Sequence, residues 1–122
     1  MPILDVELVC VGEAEFRAVS AAAVAREAGR ALGSPPGRVW VRLRCLSSVC
    51  YAENDAAVGD SELPVFVTVL HAHPPVEPGL SAEIVLLTRA VAEAVGRPYD
   101  RVHVQYAPGA AGRQAFGGRL VR

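Results

Sequence analysis

Polar and apolar residues alternate along four segments of the chain and recur at helical spacing along two others. The alternation predicts strands at 3–11, 39–46, 64–70 and 101–106, and the helical spacing predicts helices at 16–32 and 81–95. Gly33, followed by Pro35, is expected to end the first helix, and Ser81 to cap the start of the second. The chain therefore has the order strand, helix, strand, used twice.

The two halves also match residue by residue at a spacing of 63 positions. The matched pairs are Arg26 and Arg89, Ala31 and Ala94, Gly33 and Gly96, Pro35 and Pro98, Arg38 and Arg101, Val39 and Val102, and Val41 and Val104. The opening strands match at a spacing of 62, as in Pro2 and Pro64. We therefore predict a single domain over 1–122, with pseudo-repeats at 2–52 and 64–121 and an exposed, acidic linker at 53–63.

Each repeat places a helix between two strands, which favours a right-handed βαβ unit with parallel strands. Two such units predict an α+β fold with one four-stranded sheet and both helices on one face. The second strand puts Trp40, Arg42 and Arg44 on the other face. That face has no cover within the chain, so we expect oligomerisation.

Composition narrows the possible partners. The 122 residues are 52% hydrophobic and carry a formal charge of −1 with no block of like charges, which argues against a nucleic-acid surface or a polybasic membrane anchor. Cys10, Cys45 and Cys50 have no CxxC spacing, and no apolar run approaches the length of a spanning helix. We expect a cytoplasmic protein with reduced, packing cysteines and a small-molecule substrate.

Pro2 is the first residue that could carry chemistry. A small residue after the initiator Met1 allows that methionine to be removed, which would leave a free secondary amine on Pro2. Burial or nearby cations would lower the pKa of that amine and make it a general base. The alternative is that Pro2 only rigidifies the start of a strand.

Three features together resemble the tautomerase superfamily. They are the opening MPI, the two βαβ units and the closing stretch GRPYDRVHVQYAPGAAGRQAFGGRLV. The length and the segment ALGSPPGRVWV are similar to macrophage migration inhibitory factor (MIF), whereas Phe116-Gly117-Gly118 is similar to the tail of 4-oxalocrotonate tautomerase. The resemblance implies the tautomerase/MIF β-α-β fold, a homotrimer with sites between neighbouring subunits, an N-terminal proline base and no cofactor.

The same resemblance assigns the pocket residues. It implies catalytic roles for Pro2, Arg38 and His103, and substrate-binding roles for Ile3, Ser34, His73, Gln105, Arg113, Gln114 and Phe116. The chain departs from the family where Ser34 replaces a lysine and where His103 and Gln105 replace a tyrosine and an asparagine. The arginine pair of the 4-oxalocrotonate enzymes is also missing, with one position falling on Gly12 and the other on Trp40 or His103.

Several of these residues have an alternative reading. Arg38 recurs as Arg101, which suits a structural role in both repeats, and Arg42 or Arg44 would hold a substrate carboxylate as well as Arg38 or Arg113. His71 and His73 have the spacing of a metal pair, but no third ligand is evident, so we predict no metal site. His103 would either donate to an enolate oxygen or pack against Trp40 of a neighbour.

The sequence therefore predicts a cofactor-free tautomerase or isomerase that moves a proton on a small 2-oxo or unsaturated acid. A proline-dependent hydratase or dehalogenase is an alternative, although it needs an additional acid, and Glu13 and Glu15 match no known position. The third alternative is a non-catalytic trimer of the same fold that binds a partner. We expect neither nucleic acid nor membrane as a partner.

Overall fold

The computed structural model describes residues 2–122 as a four-stranded sheet with helices packed on one side. The strands are β1 (Pro2–Cys10), β2 (Trp40–Ser47), β3 (Val65–His71) and β4 (Val102–Tyr106), and the helices are α1 (Glu13–Arg17), α2 (Ala21–Ala31) and α3 (Gly79–Val95). A short hairpin follows, made of β5 (Ala115–Phe116) and β6 (Arg119–Leu120). None of the helices within 2–122 is long and apolar enough to cross a lipid bilayer.

The sheet has the mixed topology that the repeat predicts. Its strand order is β2-β1-β3-β4, with β1 parallel to β2 and β3 parallel to β4. The two halves meet through the antiparallel pair of β1 with β3 at the centre of the sheet. Parallel strands need a crossover, and α2 and α3 supply it, which confirms the two βαβ units.

The core lies between the sheet and the two long helices. Alternate residues of β1 and β3 point into it and are fully buried: Leu4, Val6, Leu8, Val65, Val67 and Val69. From the helices, α2 contributes Val24 and Ala28, and α3 contributes Leu87 and Val91. Val41 and Leu43 of β2 pack against the same cluster, while Arg42 and Arg44 lie exposed on the other face. The predicted division of the strands into two faces is confirmed.

The helix expected over 16–32 is divided in two, so that prediction was wrong in its extent. Ser20 interrupts it with an extended backbone, and its hydroxyl oxygen accepts a hydrogen bond from the Ala23 N–H at 3.1 Å. This is an N-cap, and it satisfies one of the free N–H groups at the start of α2. Phe16 and Val19 still pack on the core, which is why the apolar spacing ran through the break.

Ser81 does not cap α3, contrary to expectation, because the helix begins two residues earlier at Gly79. Ser81 therefore lies inside the first turn and donates from its backbone N–H and its hydroxyl to the Glu77 carboxylate, the former at 2.7 Å. These two donors lower the pKa of Glu77. An acidic residue just before the helix thus does what the serine was expected to do.

The matched glycines of the two repeats end the two long helices. Gly33 and Gly96 have φ angles of 62° and 71°, a left-handed conformation that favours glycine. Behind Gly33, the Ser34 N–H donates to the Gly29 carbonyl at 2.9 Å, and behind Gly96 the Arg97 N–H donates to the Ala92 carbonyl at 3.0 Å. The repeat in sequence is therefore a repeat of helix ends.

Arg97 connects the second repeat to the first. Its guanidinium is only 8% exposed and donates to the carbonyls of Leu63 at 2.8 Å and Val9 at 2.9 Å. It also donates to the Glu15 carboxylate at 2.7 Å. Because a buried guanidinium must be paired, this one residue holds α1, the end of β1 and the start of β3 together.

Replacing Arg97 with methionine is expected to lower the free energy of unfolding by about 3 kcal/mol, since two carbonyls and a carboxylate lose a charged donor. Urea denaturation followed by circular dichroism measures this. Arg89→Met is the matched control on the exposed side of α3 and should stay within about 0.5 kcal/mol of the parent. A cost below about 1 kcal/mol for Arg97→Met would contradict the assigned role.

Candidate functional site

Pro2 lies at the end of a central strand, with its side chain fully buried. Its partner across the antiparallel pair is His71, the last residue of β3. Leu4, the next residue on the same face of β1, belongs to the core. Pro2 is therefore placed where an apolar core meets the end of the sheet.

The flank of Pro2 on the β2 side brings in Arg38. Ile3 pairs with Trp40, and Arg38 comes two residues before Trp40, at the same end of the two parallel strands. The Arg38 guanidinium is exposed and makes no hydrogen bond or ion pair to any of residues 2–122. Ser34 lies in the loop leading to Arg38 and lines a hollow of about 360 Å³ against α2. A free cation thus lies at the Pro2 end of the sheet.

The C-terminal strap, residues 107–122, crosses this end of the sheet. On the β3 side, the Ala110 N–H donates to the His71 carbonyl at 2.9 Å. On the β2 side, Phe116 stacks on Trp40 with ring centroids 4.7 Å apart and an interplanar angle of 24°. The strap is thus attached on both flanks of β1, and Phe116 joins the Pro2 end as expected.

The polar side chains of the strap hydrogen-bond mainly within it. Arg113 donates to the Gly109 carbonyl at 2.7 Å, and the Gln114 amide donates to the Ala115 carbonyl at 3.1 Å. His73, just after β3, has its Nε2 at 3.2 Å from the Arg122 carbonyl oxygen. The Arg113 side chain is exposed, so its remaining donors face solvent.

His103 and Gln105 lie away from the Pro2 of their own chain. The register places His103 beside Phe66, and Phe66 beside Glu7 of β1, which is five residues or about 17 Å along the strand from Pro2. They line a depression of about 370 Å³ on the open face, where Gln105 donates to the Thr68 hydroxyl at 3.0 Å. His103 packs at 5.5 Å from the Phe66 ring.

Two of the candidate arginines are already paired. Arg42 donates to both carboxylate oxygens of Asp5, at 2.6 and 2.8 Å, and this contact lowers the pKa of Asp5. Arg101 donates to the Glu53 carboxylate and to the Glu62 carbonyl. Although Arg38 matches Arg101 in the repeat, Arg38 has no such partner among residues 2–122. The structural reading therefore holds for Arg101 and does not extend to Arg38.

The sequence analysis gave no role to a group of polar residues behind Pro2. Tyr106 of β4 donates its hydroxyl to the Glu83 carboxylate of α3, and burial followed by this contact raises the pKa of Tyr106. Burial lowers the pKa of His71, whereas the Glu83 charge opposes that shift. The helical spacing of α3 gave no sign that Glu83 would meet β3 and β4, because that contact depends on how the helix sits on the sheet.

Comparison with solved structures gives matches along nearly the whole chain. A fused 4-OT (4-oxalocrotonate tautomerase) trimer has 18% identity and a TM-score of 0.76, covering 98% of this chain and 96% of its own. The chain has the tautomerase fold. Malonate semialdehyde decarboxylase FG41 has 19% identity and a TM-score of 0.69, with 94% and 88% covered. MIF from Oncomelania hupensis has 23% identity and a TM-score of 0.67, with 100% and 83% covered.

These similar structures carry several different activities in their names, so the tautomerase fold by itself does not choose among them. No protein-family model matches the chain, and no characterised protein matches it in sequence. In residues 2–122, no group of three or more His, Cys, Asp and Glu side chains is arranged to hold a metal ion. The residues that the fold gathers at the Pro2 end therefore carry the functional argument.

Phe116→Ala is expected to shift the fluorescence emission of Trp40 to longer wavelength, because the indole loses the ring that covers one of its faces. Trp40 is the sole tryptophan, so the signal has a single source. Phe116→Leu, which keeps an apolar cover, should shift the emission less. Identical emission spectra for the parent and Phe116→Ala would show that the strap does not hold Phe116 against Trp40 in solution.

Proposed function

We propose that this protein is a cofactor-free tautomerase that acts on a small 2-oxo or unsaturated acid, with the Pro2 nitrogen as general base after removal of Met1. The observation that carries the proposal is the pairing of a fully buried Pro2 with the free guanidinium of Arg38 at one end of the sheet. A base and an anion-binding group at one site are what such a reaction needs.

The surroundings of Pro2 suit a base. An ordinary α-amino group titrates near 7.7–8.0, and burial disfavours its charged form. Because Pro2 adjoins the apolar core, its amine is expected to remain unprotonated at neutral pH. An unprotonated nitrogen has the lone pair that accepts a proton from carbon.

The reaction moves one proton. Pro2 takes it from the carbon next to the substrate carbonyl, the C–H bond breaks, and the electron pair passes to the carbonyl oxygen as an enolate. Arg38 holds the substrate carboxylate, since a guanidinium offers two parallel donors to it. Pro2 then returns the proton to another carbon, so no oxidant, reductant or cofactor is consumed.

Assembly into a homotrimer completes the proposed site. The open face exposes the ring of Trp40, and His103 and Gln105 line its depression far from their own Pro2. We infer that they serve the Pro2 site of a neighbouring copy, where His103 donates to the enolate oxygen. The fused 4-OT proteins of similar structure form trimers, which supports this arrangement.

Pro2→Ala is expected to reduce kcat/KM for phenylenolpyruvate or 2-hydroxymuconate by at least about 100-fold, because a primary amine replaces the positioned secondary amine. Pro64→Ala is the matched control: Pro64 occupies the same place in the second repeat and is also buried, but its nitrogen lies in a peptide bond. Equal rates in Pro2→Ala and the parent would exclude Pro2 as the base.

Intact mass measured on protein from the native host tests the first requirement. Loss of the Met1 mass is expected. Retention of Met1 would make the Pro2 nitrogen an amide without a basic lone pair, which would end the catalytic proposal and favour the non-catalytic trimer.

Light scattering at micromolar concentration is expected to give three times the chain mass. Phe66→Glu places a charge on the open face and should dissociate the trimer and abolish turnover. Val85→Glu is the control, since Val85 is 41% exposed on α3 and lies on the helix side of the sheet. A parent protein that is monomeric under these conditions would contradict the proposed assembly.

A further inference from the structure

Four groups form a cluster behind the reacting end of Pro2, and the proposed function uses only one of them. Pro2 and His71 face each other across the β1–β3 pair, on the same side of the sheet as the buried valines of β3. Glu83 reaches the cluster from α3 and Tyr106 from β4, joined by a hydrogen bond. Three elements of the fold thus converge on the strand end that carries Pro2.

The contacts of His71 fix the position of its proton. The His73 N–H donates to Nδ1 of His71 at 3.1 Å, so that nitrogen acts as an acceptor and the neutral ring carries its proton on Nε2. Burial lowers the pKa of His71, which also favours the neutral ring. His71 is therefore an uncharged donor placed between Pro2 and Glu83.

Glu83 brings negative charge to the cluster. Its Oε2 accepts the Tyr106 hydroxyl, whose raised pKa keeps it a donor, while Oε1 accepts no hydrogen bond from residues 2–122. The Glu83 charge acts on the His71 imidazole. A half-buried carboxylate is thus held close to the partner of Pro2.

We propose that Glu83 and His71 are positioning residues that support the Pro2 base. When the Pro2 nitrogen takes the substrate proton, it becomes an ammonium ion at a buried position, and a buried cation is costly without an opposite charge nearby. Glu83, acting through the Nε2–H of His71, supplies that charge from the helix side. This inference rests on the proposed function, because it requires a free amine on Pro2.

The other ionisable groups at this end have the opposite effect. Arg38 precedes β2, His73 follows β3, and Arg113 lies in the C-terminal strap, and all three side chains are exposed. Each is neutral or positive, so none stabilises an ammonium ion on Pro2. The carboxylate of Glu83 therefore carries the stabilising role.

The direct test is a titration of the Pro2 amine by NMR in Met-free protein labelled with [15N]proline. Glu83→Gln is expected to lower the amine pKa by about one unit, because the stabilising charge is lost. Tyr106→Phe is expected to raise it, because the carboxylate loses the donor that spreads its charge. Glu93→Gln, on the exposed side of the same helix, is the control and should leave the amine pKa unchanged.

Two further variants separate this role from a merely structural one. Glu83→Asp keeps the charge and is expected to keep the amine pKa close to that of the parent. His71→Asn retains an acceptor for the His73 N–H, and in combination with Glu83→Gln it should shift the amine pKa no further than Glu83→Gln alone. The acidic limb of the pH profile of kcat/KM should follow the same order.

An amine pKa that stays unchanged in folded Glu83→Gln protein overturns the inference, as does a shift of the same sign in Tyr106→Phe. An additive shift in the His71→Asn, Glu83→Gln double variant also overturns it. Absence of turnover in the Met-free parent would instead contradict the proposed function, and the NMR titration would still decide the role of Glu83.

Discussion

The antiparallel pairing of β1 with β3 is the contact on which the rest of the molecule depends. Each half contributes one parallel pair of strands, and only this central pairing turns two small βαβ units into one sheet with one core. It also sets the register that places Pro2 opposite His71. A shift by one residue would turn the buried valines of β3 to the open face and move Pro2 away from its partner.

Periodicity and punctuation made most of the fold predictable. Alternation gives the strands and their faces because side chains on a strand point to opposite sides in turn. Gly33 and Gly96 mark the helix ends because few other residues adopt a left-handed backbone at low cost. The break at Ser20 escaped prediction because Phe16 and Val19 stay on the buried side of both short helices, so the apolar spacing does not register the turn.

The candidate site was predictable only in part, since a linear pattern does not show which residues meet. Pro2 and Phe116 lie at one end of the sheet as expected, but His103 lies several residues along the strands from that end. The contrast between Arg38, which is free within residues 2–122, and Arg101, which is paired with Glu53, follows from the packing around each repeat. Identical residues at matched positions therefore have different partners.

The near-symmetry of the chain has a consequence for stoichiometry. Pro64 opens the second repeat as Pro2 opens the first, and both are fully buried. Because β1 and β3 run in opposite directions, the two prolines lie at opposite ends of the sheet, and the Pro64 carbonyl accepts the Val9 N–H at 3.1 Å. The nitrogen of Pro64 belongs to a peptide bond and carries no basic lone pair. Two similar frames therefore provide one base per chain, and a saturating covalent label of that base would count chains and not repeats.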